Sequence, residues 1–379
     1  MVRRIAGMTG RTGLVALAGT VVAGTAAAAT VVAGTVIAGS GLAQAMPATS
    51  AAWHIVKRVH SGVSGDFTAV VATGKSAGWA FNGNTPAAPT TKPTAWQRSG
   101  STWTRASFPG KRGEEVVAAG AASPSDVWAF TDVGAGSRVL RWNGHTWSVV
   151  KTFGQPIGGA SVASGRNVWV FGQAAINQQL GVWHYNGRRW SRVSTNLDGG
   201  SALSATSVWA FSGKSVYHYN GHNWAKKSVA RLLPPGNGLN NPELTGIYAQ
   251  SARNVYAIGN GQAQDDGGPT VVLHYNGRSW RKVAEGSFGF GTQPAQQISP
   301  DGSGGLWLPM PGFGGQPSYL LHYSGGKLTS ARLPHGAPSI DVESVANIPG
   351  TTEMLGGGFT HKSGNPGLGV VAVILQYGA

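Results

Sequence analysis

Apolar and polar positions alternate along most of this chain in short runs, and the runs recur. "LHYNGRSWRKV" at 273–283 has relatives "LRWNGHTWSVV" at 140–150, "WHYNGRRWSRV" at 183–193 and a shorter "YHYNGHNW" at 217–224. Alternation of this kind marks a strand with one buried face. Asn-Gly between two such runs marks a hairpin, because a type I′ turn needs positive φ at both central residues. Each copy therefore predicts two antiparallel strands and a tight turn.

A second phrase always precedes the first. "SPSDVWAF" at 123–130 recurs as "SGRNVWVF" (164–171), "SATSVWAF" (204–211) and "SARNVYAI" (251–258), with looser copies "KSAGWAF" (75–81) and "GSGGLWL" (302–308). The Ser/Asp/Pro cluster predicts a turn and "VWAF" a buried strand. Before each turn lies a run of small residues, such as "EEVVAAGAA" (114–122) or "GGSALSA" (199–205). The unit is thus four strands: a small-residue inner strand, a second, a third and an outer one. The key aromatics Trp79, Trp128, Trp169, Trp209, Tyr256 and Trp307 are spaced as single propeller blades are.

One worn unit follows Trp307: "SIDVESVANI" (339–348), "TTEMLGGG" (351–358) and "VVAVILQYGA" (370–379), with Met354 where Trp is expected. It stops at "QYGA", before an outer strand. An unpartnered outer strand, "AWHIVKRV" (52–59), opens the chain. The fold class predicted is all-β, a seven-bladed β-propeller closed by this N-terminal strand, which removes the open sheet edge. Six or eight blades would follow only from a miscount of the worn units. All 14 Trp then fall on second, third or outer strands, as a packing demand repeated in every unit.

Composition agrees with a folded, turn-rich chain. It has 379 residues, 59 of them Gly, 11% charged and 9% aromatic. No Cys is present, so packing alone stabilises it, and net charge is +15. Residues 1–45 differ: Arg3, Arg4 and Arg11 precede a long uncharged run ending in Ala43-Gln44-Ala45. This is the pattern of an export signal, with a membrane anchor as the alternative if it stays uncleaved. The domains expected are 1–45, the signal, and 46–379, the propeller. The setting expected is extracellular, as a secreted monomer.

"SPSDVWAF … LRWNGHTWSVV" resembles the secreted β-propeller repeat proteins of actinobacteria, loosely labelled kelch-like or galactose-oxidase-like. The resemblance covers about residues 52–379. It implies the fold and an exported setting. It supplies no catalytic residue: the kelch Gly-Gly doublet is not kept, and the copper-ligand set of galactose oxidase cannot be mapped without Cys.

Non-repeated residues on rigidly held loops are the better functional candidates. In such blades the first and third turns lie on one face. The second-to-third and blade-to-blade loops lie on the other, where this chain puts its long, variable segments. Loops of units five to seven bring Asp265, Asp266, Phe313, Phe359, His361 and Lys362 toward one sector, with Phe288 and Phe290 beside them. This set suits a glycan, with aromatic faces and polar anchors; packing of the Phe onto the ring is the competing reading. Asp265-Asp266 offers too few ligands for Ca²⁺ alone, so no metal or other cofactor is expected. His184, His218, His274 and His322 recur in the third strand and read as structural. Asp341 and Glu343 on one inner strand, and Glu114 on another, are the acid–base candidates.

The reading favoured is a non-catalytic binding propeller that recognises a glycan, an anionic wall polymer or a protein through its long-loop face. The alternative is an extracellular polysaccharide-active enzyme using carboxylates near the axis. Nucleic acid is not expected, since the aromatics are committed to the core.

Overall fold

The computed structural model describes residues 51–60, 65–83, 91–132, 136–172, 180–194, 197–236, 241–261, 268–288, 297–310, 318–334, 340–361 and 370–378. They form seven four-stranded antiparallel sheets. Blades 1 to 6 follow in chain order, each beginning with its inner strand: Phe67–Gly74, Glu115–Ser123, Ile157–Ser164, Gly199–Ser204, Glu243–Ser251 and Ser299–Pro300. Blade 7 takes Ile340–Asn347, Met354–His361 and Val370–Tyr377 from the end of the chain, and its outer strand Trp53–Val59 from the beginning. The inner strand of blade 7 lies against that of blade 1, so the sheets close into a ring. Among the described residues the single helical turn is Ala230–Leu232, and no helix is long and apolar enough to cross a membrane. The segment 1–45 lies outside the described residues.

The closure is the one the repeat arithmetic demands. Trp53 pairs in register with Tyr377, and its ring meets Trp307 of blade 6 edge-on at 5.3 Å. This is the junction made elsewhere by chain-order neighbours. Trp169 of blade 3 packs on Tyr219 and Trp224 of blade 4, and Trp209 of blade 4 on Tyr275 and Trp280 of blade 5. A second-strand Trp therefore wedges into the aromatic pair of the next blade. Edge-to-face pairs add about 1 kcal/mol each to the burial of the rings.

The register corrects one expectation in blade 7. Trp169 pairs with His184, one residue before the tyrosine Tyr185. The corresponding pair is Leu355 with Gln376, next to Tyr377. Leu355, not Met354, thus holds the Trp position and packs with Trp103 of blade 1, whereas Met354 faces back into the cluster around Trp307 and Trp53.

The recurrent histidines are structural. His184, His218, His274 and His322 stack on Trp169, Trp209, Tyr256 and Trp307. Their Nε2 atoms reach Asn167, Ser207, Asn254 and Asp301, each at the turn before the second strand. Blade 2 substitutes Arg141 with Asp126, joined by two hydrogen bonds of 2.8 and 2.9 Å. The polar position of the first phrase and the His of the second are thus two halves of one contact.

The Asn-Gly turns differ from the expected geometry. Asn143 and Thr146 close the hairpin by a backbone hydrogen bond, leaving Gly144 and His145 as the central pair. The first of the two, Gly144, has a positive φ of +96°. The Asn143 side chain instead accepts the N–H groups of His145 and Thr146. Two central residues of positive φ occur in the worn copy, at Gly325 (+57°) and Gly326 (+78°).

Candidate functional site at the axis

Antiparallel order puts the start of every inner strand and the end of every second strand at one end of the ring. The register shows it in the pairs Phe67 with Asn82, Glu115 with Asp132, and Glu243 with Asn260. More than half of the chain's 14 acidic residues gather there, although Lys and Arg number 29. They are Asp66, Glu114, Glu115, Asp132, Asp198, Glu243, Asp341 and Glu343.

Most of the inner strands carry a bulge just after their start. The register shifts between Phe67 and Ala69, Val116 and Ala118, Leu244 and Gly246, and Val342 and Ser344. A bulge leaves one residue unpaired and re-aims its side chain. In blade 1 that residue is Thr68, whose Oγ1 donates to the Val116 carbonyl of blade 2 at 2.8 Å. In blade 7 it is Glu343.

Glu343 joins Asp66, from the loop entering blade 1, and Glu115 of blade 2. Three consecutive blades thus present carboxylates that act on one another. Burial raises Glu343 to about 8, with Asp66, Asp341 and Glu115 adding to the effect. Burial likewise raises Glu115 to about 7, helped by Asp66 and Asp132. Asp66 rises to about 6 through burial, against a lowering hydrogen bond from its own backbone. Among the described residues no cation offsets any of the three. Asp66 is 7% exposed, and among the described residues its Oδ1 has no hydrogen-bond partner. A buried oxygen in that condition costs on the order of 1–3 kcal/mol. Gly83 makes room for the group, since a β-carbon there would meet Glu115 Cγ at 3.0 Å.

Gln297, before the short inner strand of blade 6, spans the mouth. Its Oε1 accepts from Ser344 Oγ at 2.6 Å, and its Nε2 reaches the Val117 carbonyl of blade 2 at 3.4 Å. Ser344 Oγ in turn accepts from the Val70 N–H at 3.0 Å. Blades 6, 7, 1 and 2 are therefore tied together around the carboxylates.

The expected site residues fare unequally. Glu343 and Asp341 are at the mouth, where Asp341 accepts a hydrogen bond from Ser318. Glu114 is not available as an acid–base group, which corrects its assignment. It is fully buried and engaged by Arg138, whose Nε donates at 2.6 Å, and by the Lys111 N–H at 2.7 Å. Burial opposes its charge, but Arg138, Thr131 and the Lys111 amide outweigh it and hold the carboxyl below its ordinary value. The pleat explains the exchange. Glu114 shares a face with the buried Val116, and its neighbour Glu115 takes the other face. Phe359 is half-buried and paired in register with Asp341, beside the carboxylates. The His361 backbone pairs with Val370. Asp265, Asp266, Phe290, Phe313 and Lys362 lie outside the described residues. Phe288 packs against Tyr319 as a plug, like Phe108 on Trp147 and Phe153 on Trp183.

Sequence reasoning missed Asp66, Glu115 and Gln297. The alternation in "EEVVAAGAA" holds the signal for Glu115; Asp66 and Gln297 carry none beyond preceding an inner strand. Among the described residues no three His, Asp or Glu side chains converge as a metal-binding group.

No family model and no curated protein matches this chain. Solved structures do. YCF48 bound to D1 peptide aligns with a TM-score of 0.55 at 10% identity, covering 86% of this chain and 97% of that one. Virginiamycin B lyase from Staphylococcus aureus aligns at 0.56 and 8% identity, covering 86% and 99%. The WD40 repeats of RRP9 align at 0.54 and 13% identity, covering 85% and 97%. At these identities the likeness is one of fold.

Proposed function

We propose that this chain is a binding propeller whose recognition site is the carboxylate-lined mouth of the axis, on the long-loop face. Its ligand presents a cationic group, an ammonium or guanidinium, carried by a basic protein segment or an amino sugar. The observation that carries this is the buried Asp66 Oδ1, one of three carboxylates that have, among the described residues, no counter-cation, and itself without a hydrogen-bond partner among them. Like charges packed without a cation oppose folding, and an incoming donor relieves both the repulsion and the orphaned oxygen. The sign of the mouth disfavours an anionic polymer at this position. YCF48, a propeller of similar fold, is known with a bound peptide, which makes a protein ligand a natural first choice. The exported setting expected from residues 1–45 belongs to the same proposal.

The test is calorimetric titration of the purified chain with Lys- and Arg-containing peptides and with chitosan oligomers. Affinity is expected to rise with pH between about 6 and 8 as the carboxylates ionise, with protons released on binding. Affinity unchanged in Asp66→Asn and Glu343→Gln would sink the assignment.

A second reading has one observation behind it. Carboxyl groups pushed apart to about 6, 7 and 8 resemble an acid–base set. An extracellular polysaccharide-active enzyme would then use Glu115 and Glu343, and turnover of a polysaccharide abolished by Glu343→Gln would favour it.

A further inference from the structure

With so many carboxylates drawn to the mouth, the rest of the surface is more basic than the net charge of +15 suggests. Charges separated by more than about 8 Å act locally at physiological salt, so distribution matters more than the sum. The densest basic stretch lies on the outer strands of blades 3 to 5. Blade 3 exposes Arg188 and Arg189 beside its outer strand Trp190–Ser194. Blade 4 exposes Lys226 and Lys227 on Trp224–Ser228, and blade 5 exposes Arg278 and Arg281 at Trp280–Gly286. Arg166 and Arg253 extend this surface, lying across the turn glycines Gly187 and Gly277. Among the described residues of these outer strands and the turns beside them, the only acid is Glu285, which pairs with Lys282.

Edge protection explains why outer strands are charged, since a charged edge resists pairing with another sheet. It does not explain why the charge has one sign, because alternating signs would protect equally and avoid repulsion. Single-sign clustering across three adjacent blades is what attraction of an extended anion requires.

We propose that the outer strands of blades 3 to 5 are a docking surface for an anionic polysaccharide, held by Arg188, Arg189, Lys226, Lys227, Arg278 and Arg281. The surface is separate from the acidic mouth and does not rest on the reading given to it. Two observations select this occupant. The outer-strand aromatics Trp190, Trp224 and Trp280 are turned against neighbouring rings, so bases would find no stacking faces. The basic residues also follow the curved rim of a ring from blade to blade, which a flexible chain can track and a flat lipid surface cannot.

The experiment measures binding of the full chain to heparin, polygalacturonate, oligo-dT and phosphatidylglycerol vesicles at physiological ionic strength. Two charge-matched variants are compared. One carries Arg188→Glu, Arg189→Glu, Lys226→Glu and Lys227→Glu. The other carries Lys75→Glu, Arg105→Glu, Lys327→Glu and Arg332→Glu, exposed positions on blades 1 and 6. The wild type is expected to bind both polysaccharides, with a loss of about tenfold or more in the first variant and about threefold or less in the second. Near-ultraviolet circular dichroism checks that both variants are folded, and Arg278→Glu with Arg281→Glu provides a milder second probe of the same surface. Equal losses in the charge-matched pair, no polysaccharide binding by the wild type, or tighter binding of oligo-dT or vesicles through the same residues would each overturn the proposal.

Discussion

The two ends of each blade use polar residues in opposite ways. At the end with the short turns, polar side chains are partnered within the repeat: His274 with Asn254, His322 with Asp301, Arg141 with Asp126, and each turn asparagine with its own backbone. At the axis mouth, Asp66, Glu115 and Glu343 raise one another's protonation and meet no cation among the described residues. The first pattern recurs because every blade must satisfy the same groups. The second does not recur and costs stability. Buried same-sign carboxyls persist where something outside the fold rewards them. Within the mouth, Glu114 marks the contrast at a distance of one residue: the buried partner of Arg138 on one face of the strand, and the half-buried neighbour Glu115 on the other face, left to the cluster.

The contrast can be broken at its strongest point first. Deleting residues 51–59 removes the outer strand of blade 7 and the Trp53 contact with Trp307. Loss of a buried Trp alone costs about 3–5 kcal/mol. The expected result is a fall in Tm well beyond that from trimming any exposed loop; an unchanged Tm would disprove the closure as a stabilising element.

Next in size is Glu114→Ala. It strands Arg138, which is 6% exposed, without its carboxylate. A buried ion left alone costs about 3–5 kcal/mol, readable as a shifted urea midpoint. Glu114 is lowered in the folded state, so its contribution is fully present above its ordinary value of 4.5 and is lost as pH falls below that value and through the lowered folded one.

The smallest effect has the opposite sign and sharpens the contrast most. Glu343, Glu115 and Asp66 are raised on folding, so the folded chain holds more protons than the unfolded one between about pH 4 and pH 8. Their favourable contribution is complete below that window and is lost as pH rises through it. Glu343→Gln is expected to stabilise the protein at pH 9 by on the order of 2 kcal/mol, after a discount for partial solvent access, and to do little at pH 4. Thermal melts at the two pH values decide it. A variant destabilised at both would make Glu343 an ordinary structural residue.

Much of the molecule is legible in one dimension, and particular residues show why. The alternation around "NG" locates strands because the pleat and the hairpin are local. Trp53 announces the closure because an outer strand without a blade must find one. The recurrence of His184, His218, His274 and His322 marks them as structural, although their partners at the first turn emerge only with the register. Leu355 shows the limit of this legibility: counting along a worn repeat points to Met354, and only strand pairing assigns the Trp position.

The functional candidates divide the same way. Asp341 and Glu343 are visible because they stand out on an inner strand. Glu114 is misleading, since its chemistry is decided by Arg138, from a different strand. Asp66 and Gln297 have no local mark at all.

The sequence by itself determined the four-strand unit, the number of units, the seven-bladed ring and its closing strand, because each follows from periodicity and from the need to pair every edge. Only the tertiary structure decided where charge goes. Ring closure brings Val70 and Ser344 into hydrogen-bond contact although they are 274 positions apart. It gathers the starts of the inner strands from separate repeats around one axis, and leaves the outer strands facing away from it. No local pattern encodes that convergence. A carboxylate's neighbours at the mouth, and so its protonation and the partner it can take, are set by the ring rather than by the repeat.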